Sequence, residues 1–99
     1  MEKWLYVMLI EKTELYNKLT KAGVERHVAN LKRLDEQGNI EMAGILKGFP
    51  GVSGMYILRA ESYEAAEEMC KQEPLIVEGF ATYKLISFQP ANKENNYLL

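Results

Sequence analysis

The feature that most constrains the fold is a short apolar run near the start of the chain, Trp4 to Ile10. Charged residues bound it on both sides, and its aromatic and β-branched content is typical of a strand buried on both faces. The run is far shorter than the roughly 20 apolar residues of a membrane-spanning helix, and it lacks the pattern of a signal peptide. A strand of this kind needs an apolar layer against each of its two faces.

The rest of the chain predicts two helices and three more strands. Apolar residues at helical spacing predict a helix over Gly23–Gln37, and Ser62 is a typical N-cap for a second helix over Tyr63–Cys70. Pro74 is expected to end that second helix. The predicted strands are Ile40–Leu46, Met55–Ala60 and Phe80–Phe88, and a loop containing glycine and proline joins the first two across residues 47–54.

The order strand, helix, strand, strand, helix, strand predicts an α+β, ferredoxin-like βαββαβ fold with a four-stranded antiparallel sheet. Right-handed crossovers place both helices on one face of the sheet and the first and third strands at its centre. No element remains for the second face, although the first strand is apolar on both sides. We therefore expect a homodimer or larger homo-oligomer joined through the open sheet face. A single domain is predicted over 1–88, followed by a C-terminal tail over 89–99 whose apolar tip is a candidate contact with a partner subunit.

The length, charge balance and residue composition of the chain argue against several classes of protein. The 99 residues suit one domain, and 12 Lys and Arg against 14 Asp and Glu argue against a nucleic-acid-binding protein. The aromatic signature of an RNA-recognition motif is also absent. One cysteine excludes an internal disulfide and a cysteine-based zinc cluster, and the single histidine with scattered carboxylates gives no metal-ligand spacing. We expect a cytoplasmic protein with no metal, no nucleic-acid partner and no membrane association.

Two stretches of the chain resemble the YCII-related (YciI-like) family. The residues that carry the resemblance are His27–Leu34, Gly38 and Ala43–Gly44 in the first half, and Ser62–Ala66, Glu73–Pro74, Gly79 and Tyr83 in the second. The likeness extends from the first strand to Phe88. It implies a dimeric ferredoxin-like α/β barrel, the arrangement that the count of sheet faces predicts separately.

The resemblance also implies a reaction site. The family's proposed active site pairs a histidine with an aspartate, and at least one relative dehydrochlorinates a hydroxylated aromatic ring. The histidine falls on His27, and the aspartate of the family's Asp-Pro pair falls on Glu73, which is a departure. Ile45 is a second departure from the family's pattern, because relatives usually carry proline at that position. The implied activity is a cofactor-free lyase, isomerase or hydrolase that uses His27 and Glu73 as acid and base on a small organic substrate, with aromatic compounds among the candidates.

Each of these residues also has a structural interpretation. His27 lies on the helical stripe of apolar residues, where a histidine often bonds only to backbone, and Glu73 before Pro74 is also consistent with a solvated carboxylate at a helix stop. Tyr6, Tyr56 and Tyr83 on predicted strands, with Phe49 in the 47–54 loop, are candidate substrate contacts or else core and interface residues. The alternative function is a non-catalytic small-molecule-binding or structural dimer module. An open cleft beside His27 favours chemistry, and a filled space favours this alternative.

Overall fold

The computed structural model describes residues 3–99, so the first two residues of the predicted domain lie outside the described part. The elements are β1 (Trp4–Lys12), α1 (Lys21–Glu36), β2 (Ile40–Ile45), β3 (Val52–Ala60), α2 (Tyr63–Gln72), α3 (Pro74–Val77) and β4 (Ala81–Phe88). Short 3-10 turns lie at Tyr16–Lys18 and Lys93–Leu98. Within residues 3–99, no helix has the length and apolar character needed to cross a membrane.

The four strands form one antiparallel sheet in the order β2-β3-β1-β4. The two most apolar strands, β1 and β3, are therefore the central ones, because each pairs on both sides. This order and the two main helices confirm the predicted ferredoxin-like α+β fold.

The core lies between one face of the sheet and the helices. Alternate residues of the central strands are buried there, and residues of all three helices pack against them: Tyr6, Met8, Ile10, Tyr56, Leu58, Ala60, Leu34, Ala66, Cys70 and Leu75. The two-residue period of a strand turns the intervening residues to the other face. Leu5, Val7 and Leu9 are only half-buried on that face, and Ile86 beside them is exposed. The second face is therefore apolar and uncovered in the single chain.

Several element boundaries differ from the predicted ones by a few residues, and at three places a local feature gives the reason. Helix α1 begins before Gly23 because Thr20 is its N-cap, with Oγ1 accepting the Gly23 amide at 3.1 Å. Strand β3 begins at Val52, because the preceding turn is already complete at Gly51, whose φ is 81°. Pro74 begins α3 as well as following α2, since proline suits the first position of a helix.

An irregularity in the β1–β3 pairing affects the site. Ile10 pairs with Gly54 and Glu11 pairs with Val52, so Ser53 is an extra residue opposite β1. A bulge of this kind changes the direction of the side chain it contains. Ser53 consequently lines the helix-side pocket described below.

A candidate acid–base site

The site forms where α1 meets the junction of α2 and α3. Glu73 ends α2 and is also the N-cap of α3, with its Oε2 accepting the Leu75 amide at 2.7 Å. This cap holds the carboxylate inside the protein, where its side chain has no exposed surface. His27 on α1 reaches the same carboxylate from the other side.

Two side chains from separate parts of the chain meet at Glu73 Oε1. His27 Nδ1 lies 2.9 Å from it, and the Tyr56 hydroxyl donates to it at 2.6 Å. The Tyr56 oxygen is also 3.2 Å from His27 Nδ1. The imidazole is thereby held against a buried carboxylate by contacts from α1, β3 and the α2–α3 junction.

The hydrogen bonds keep the buried carboxylate charged. Burial by itself raises the pKa of Glu73, but the hydrogen bonds from His27, Tyr56 and the Leu75 amide outweigh it and leave the pKa below its ordinary value. Burial, together with the adjacent Glu73 charge, raises the pKa of Tyr56 well above its ordinary value. Tyr56 therefore remains a protonated donor, and Glu73 remains an ionised acceptor.

This charge state fixes the tautomer of the imidazole. An ionised carboxylate only accepts hydrogen bonds, so His27 Nδ1 carries the proton that lies between the two groups. The lone pair of neutral His27 is then on Nε2, at the ring edge away from Glu73. The His27 side chain is 23% exposed and lies in the wall of a pocket. A neutral imidazole with a free Nε2 can accept a proton from a bound molecule.

The pocket beside His27 is a cleft of about 360 Å³ between α1 and the sheet. Its walls are mainly apolar, and its polar side chains are His27, Tyr56, Tyr16 and Ser53. The full lining is Ile10, Tyr16, Leu19, Val24, His27, Val28, Leu31, Ala43, Gly44, Ile45, Ser53, Gly54, Tyr56 and Leu75. No Lys, Arg, Asp or Glu is among these lining residues. An apolar cleft with a few convergent polar groups is the usual form of a small-molecule site.

The structure brings together three of the candidate residues from the sequence. His27 and Glu73 are hydrogen-bonded, and Tyr56 joins them and lines the pocket. The interpretation of Glu73 as a solvated carboxylate is wrong, because its side chain is completely buried. The interpretation of His27 as a histidine bonded only to backbone is also wrong, because its Nδ1 contacts two side chains.

The other three candidate substrate contacts lie away from this pocket. Tyr6 is nearer the opposite end of β1, where its ring meets Tyr63 edge to face. Tyr83 donates its hydroxyl to Glu67 of α2 at 3.0 Å. Phe49 is 71% exposed, and it does not line the cleft. Both Tyr6 and Tyr83 face the helix side. Tyr6 is separated from His27 by its position near the start of β1, and Tyr83 is separated because β4 lies on the other side of β1 from β3.

Tyr16 and Ser53 were missed by the sequence reasoning. Tyr16 lies in a mixed polar segment that reads as a connection, and Ser53 lies in a segment that reads as a loop. The one available signal was that both segments follow a predicted strand and carry hydroxyl side chains. The bulge that turns Ser53 to the helix side depends on pairing between β1 and β3, which no local pattern reveals.

Other reactive groups do not add to the site. Cys70 is completely buried, and burial, followed by the nearby Glu67 charge, raises the pKa of its thiol to about 12. The thiolate needed for nucleophilic chemistry is therefore scarce at neutral pH. Among residues 3–99, no three His, Cys, Asp or Glu side chains are grouped so that they could hold a metal ion.

Comparisons with known proteins agree with the fold. Uncharacterized protein YjpA of Bacillus subtilis (strain 168) is 33% identical over 76 residues, which are 77% of this chain and 84% of that protein. The structure of the 5-chloro-2-hydroxyhydroquinone dehydrochlorinase TftG from Burkholderia phenoliruptrix AC1100, in complex with 2,5-dihydroxybenzoquinone, superposes with a TM-score of 0.70. That alignment covers 93% of this chain and 99% of TftG at 16% identity, so it shows a shared fold. The YCII-related domain matches residues 4–89, and the chain therefore belongs to the YCII-related family.

Proposed function

We propose that this protein is an enzyme that moves a proton on a small, uncharged organic molecule, with His27 as the general acid and base. The observation that carries the proposal is the hydrogen bond between His27 Nδ1 and the fully buried Glu73, with the same imidazole forming part of an open cleft. An open cleft favours chemistry over the filled space that a purely structural role predicts.

The proposed step uses the two edges of the imidazole. His27 Nε2 accepts a proton from the bound molecule, and the imidazolium that forms is stabilised by the Glu73 carboxylate. The proton then returns to a different atom of the same molecule or to its leaving group. Lyase and isomerase reactions contain such a step. In a hydrolase reaction, His27 Nε2 would instead accept the proton of the attacking water and return it to the leaving group. Dehydrochlorination, the reaction after which the structural neighbour TftG is named, is one reaction of this kind, and it supports the proposal by analogy of fold alone.

The test is turnover by wild type and by His27→Gln. The substrates are 5-chloro-2-hydroxyhydroquinone, followed by chloride release, and a panel of small phenols and carbonyl compounds in D2O, followed by proton NMR for deuterium exchange. We expect wild type to act on at least one compound and His27→Gln to be slower by about 10²–10⁴-fold, the usual contribution of a general acid or base. An unchanged thermal transition of the variant shows that folding is intact. Equal rates for the two proteins would remove His27 from the reaction.

The alternative is a small-molecule-binding module without chemistry. The same cleft supports it, since an apolar pocket with polar side chains binds ligands whether or not a reaction follows. Binding of panel compounds by wild type, with no turnover and no exchange, would favour this alternative.

We also propose that two copies of the chain join through the open face of the sheet. Large apolar side chains are exposed there, among them Met42 at 62% and Ile86 at 55%. Each lies in register with half-buried apolar neighbours on the central strands, Met42 opposite Ile57 and Ile86 opposite Val7. A contiguous apolar patch of this kind is unusual on a monomer, and a second copy offers the same surface in return.

A further inference from the structure

The second polar feature of the cleft is a pair of hydroxyl groups. The Tyr16 hydroxyl and Ser53 Oγ lie 2.8 Å apart, and both residues line the same cleft as His27. Neither residue belongs to the group formed by His27, Glu73 and Tyr56. The mechanism proposed above does not use them.

Separate structural features hold each member of the pair in place. Ser53 is the bulged residue of β3, and the bulge places it on the wall of the cleft. Tyr16 lies in the turn after β1, where Thr13 fixes the chain by donating its hydroxyl to the Gly79 carbonyl at 2.7 Å. The Lys12 ammonium lies 5.1 Å from the centroid of the Tyr16 ring, a cation–π contact.

The pair offers both kinds of hydrogen bond to a ligand. Each hydroxyl has one hydrogen and two acceptor lone pairs, so the bond between them uses one hydrogen and one lone pair. One donor hydrogen and further lone pairs remain. A ligand hydroxyl or carbonyl in contact with the pair is therefore satisfied in either role.

The pair lies some distance from the acid–base group. Ser53 and Tyr56 are three residues apart on β3, and a strand rises about 3.3 Å per residue, so their backbones are separated by roughly 10 Å at most. Apolar residues form most of the remaining wall, and no charged side chain lines it. The cleft thus has hydrogen-bonding groups in two places and a dry, uncharged surface elsewhere.

We infer that Tyr16 and Ser53 are specificity-determining residues, which select neutral molecules with a second hydroxyl or carbonyl group remote from the atom that His27 deprotonates. This inference rests on the proposed function, which assigns the proton transfer to His27. The selection works because a compound without the second polar group leaves the remaining donor hydrogen of the pair without a partner on the ligand. A carboxylate in that place is disfavoured, because no cationic side chain lines the cleft to offset the loss of its water shell, and the Lys12 ammonium contacts the Tyr16 ring outside that lining.

The experiment compares the affinities of three probes under argon at pH 7. Phenol has one polar end, hydroquinone has two neutral ones, and 4-hydroxybenzoate has a charged second end. Calorimetric titrations are made with wild type, Tyr16→Phe and Ser53→Ala. Tyr63→Phe and Ser87→Ala are matched controls, because Tyr63 bonds to the Leu85 carbonyl and Ser87 is an exposed β4 residue, both outside this cleft.

We expect wild type to bind hydroquinone about three- to tenfold more tightly than phenol, the usual net value of one or two hydrogen bonds. Tyr16→Phe and Ser53→Ala should each reduce that preference, and the two control variants should keep it. We expect 4-hydroxybenzoate to bind more weakly than hydroquinone. The inference is overturned if wild type shows no preference for hydroquinone, or if both variants in the pair retain the wild-type preference.

The outcome is independent of the test of the acid–base proposal. The affinity ratio measures recognition in the cleft, whereas His27→Gln turnover measures proton transfer. Suppose that Tyr16→Phe removes the hydroquinone preference and that His27→Gln does not change turnover. The specificity role of the pair is then supported, and the acid–base role of His27 is rejected. If turnover depends on His27 but wild type shows no preference for hydroquinone, the acid–base role is supported and the specificity role is rejected.

Discussion

At the scale of single residues, the burial of Glu73 determines the properties of the site. A carboxylate out of contact with water costs several kcal/mol unless hydrogen-bond donors surround it. Here three donors do so: His27 Nδ1, the Tyr56 hydroxyl and the Leu75 amide. The contacts that make the buried charge tolerable are therefore also those that orient the imidazole.

The first prediction concerns the tautomer of His27. In Glu73→Gln, the Leu75 amide still needs an acceptor, so the Gln oxygen stays there and the Gln NH2 group turns to His27 Nδ1. Nδ1 must then accept, and the proton moves to Nε2, which can no longer act as a base. We expect turnover to fall by about 10²–10⁴-fold. The nitrogen-15 chemical shifts of the ring report the change directly, because the chain has a single histidine.

The control for the tautomer prediction is Glu78→Gln. Glu78 accepts from Arg26 on the exposed side of α1, so its loss should leave the proton on His27 Nδ1. A ring that keeps its proton on Nδ1 in Glu73→Gln as well would show that Glu73 does not set the tautomer.

The second prediction concerns stability in acid. Because the pKa of Glu73 is lower in the folded protein than its ordinary value of about 4.3, the folded state takes up this proton less readily than the unfolded chain. The contribution of the ionised group is fully present above that ordinary value and is lost as pH falls through the lowered one. We expect the difference in unfolding free energy between wild type and Glu73→Gln to shrink on acidification, since Gln does not titrate.

Urea unfolding at a series of pH values from about 7 to about 3 measures this difference. The other carboxylates are common to both proteins and drop out of the comparison. If this difference in unfolding free energy stays constant across the series, protonation of Glu73 does not affect unfolding. An ionised Glu73 hydrogen-bonded to His27 would then be rejected.

At the scale of elements, the cleft depends on how closely β2 approaches β3. Gly54 lies at this contact, and a Cβ atom there would be 2.6 Å from the carbonyl oxygen of Gly44. The obstacle is backbone, so the two strands would have to separate. The same two glycines line the cleft beside His27. The absence of a side chain at Gly54 therefore sets the strand spacing at one wall of the site.

The third prediction compares alanine at these two glycines. Gly54→Ala should lower the unfolding free energy by about 1–3 kcal/mol, because it forces the strands apart. Gly44→Ala is the matched control, since a Cβ there meets nothing within 4 Å, and we expect a change of no more than about 0.5 kcal/mol. Urea denaturation measures both. Equal effects of the two substitutions would show that the close contact at Gly54 does not constrain the sheet.

At the scale of the whole molecule, the uncovered sheet face is the dominant feature. The helices cover one face only, and the tail does not cover the other: Tyr97 is 66% exposed, and Leu99 is fully exposed. Apolar side chains of all four strands remain on the open face. Pairing of two such faces would remove this surface from water, at about 25 cal/mol for each Å² buried.

The fourth prediction is the loss of the dimer on placing a charge in this face. We expect wild type to sediment as a dimer at micromolar concentration and Ile86→Glu to sediment as a monomer, because burying the new carboxylate without a partner is unfavourable. Val77→Glu is the control, since Val77 is 68% exposed on α3 in the helical layer. A wild-type protein that is monomeric under these conditions would reject pairing through the sheet.

The sequence by itself determined the order and type of the elements. The two-residue and 3.6-residue periods are properties of neighbouring residues, so the apolar alternation of β1 and the helical stripe of α1 are visible without the fold. The N-cap at Ser62 is equally local, and the structure confirms it with an Ala65 amide bond of 3.1 Å. The structure adds the short helix α3, and otherwise it shifts only the limits of elements, as at the Thr20 cap and the Gly51 turn.

The tertiary structure alone decided which side chains share the site. His27 and Glu73 are 46 residues apart, and Glu73 is buried because one residue caps α3 where α1 packs against it. Tyr56 lies beside them, whereas Tyr83 is beside Glu67, although both face the helices. Ser53 reaches the cleft through a bulge in strand pairing. Strand register and helix packing are set by contacts between distant residues, and local periodicity carries no information about them.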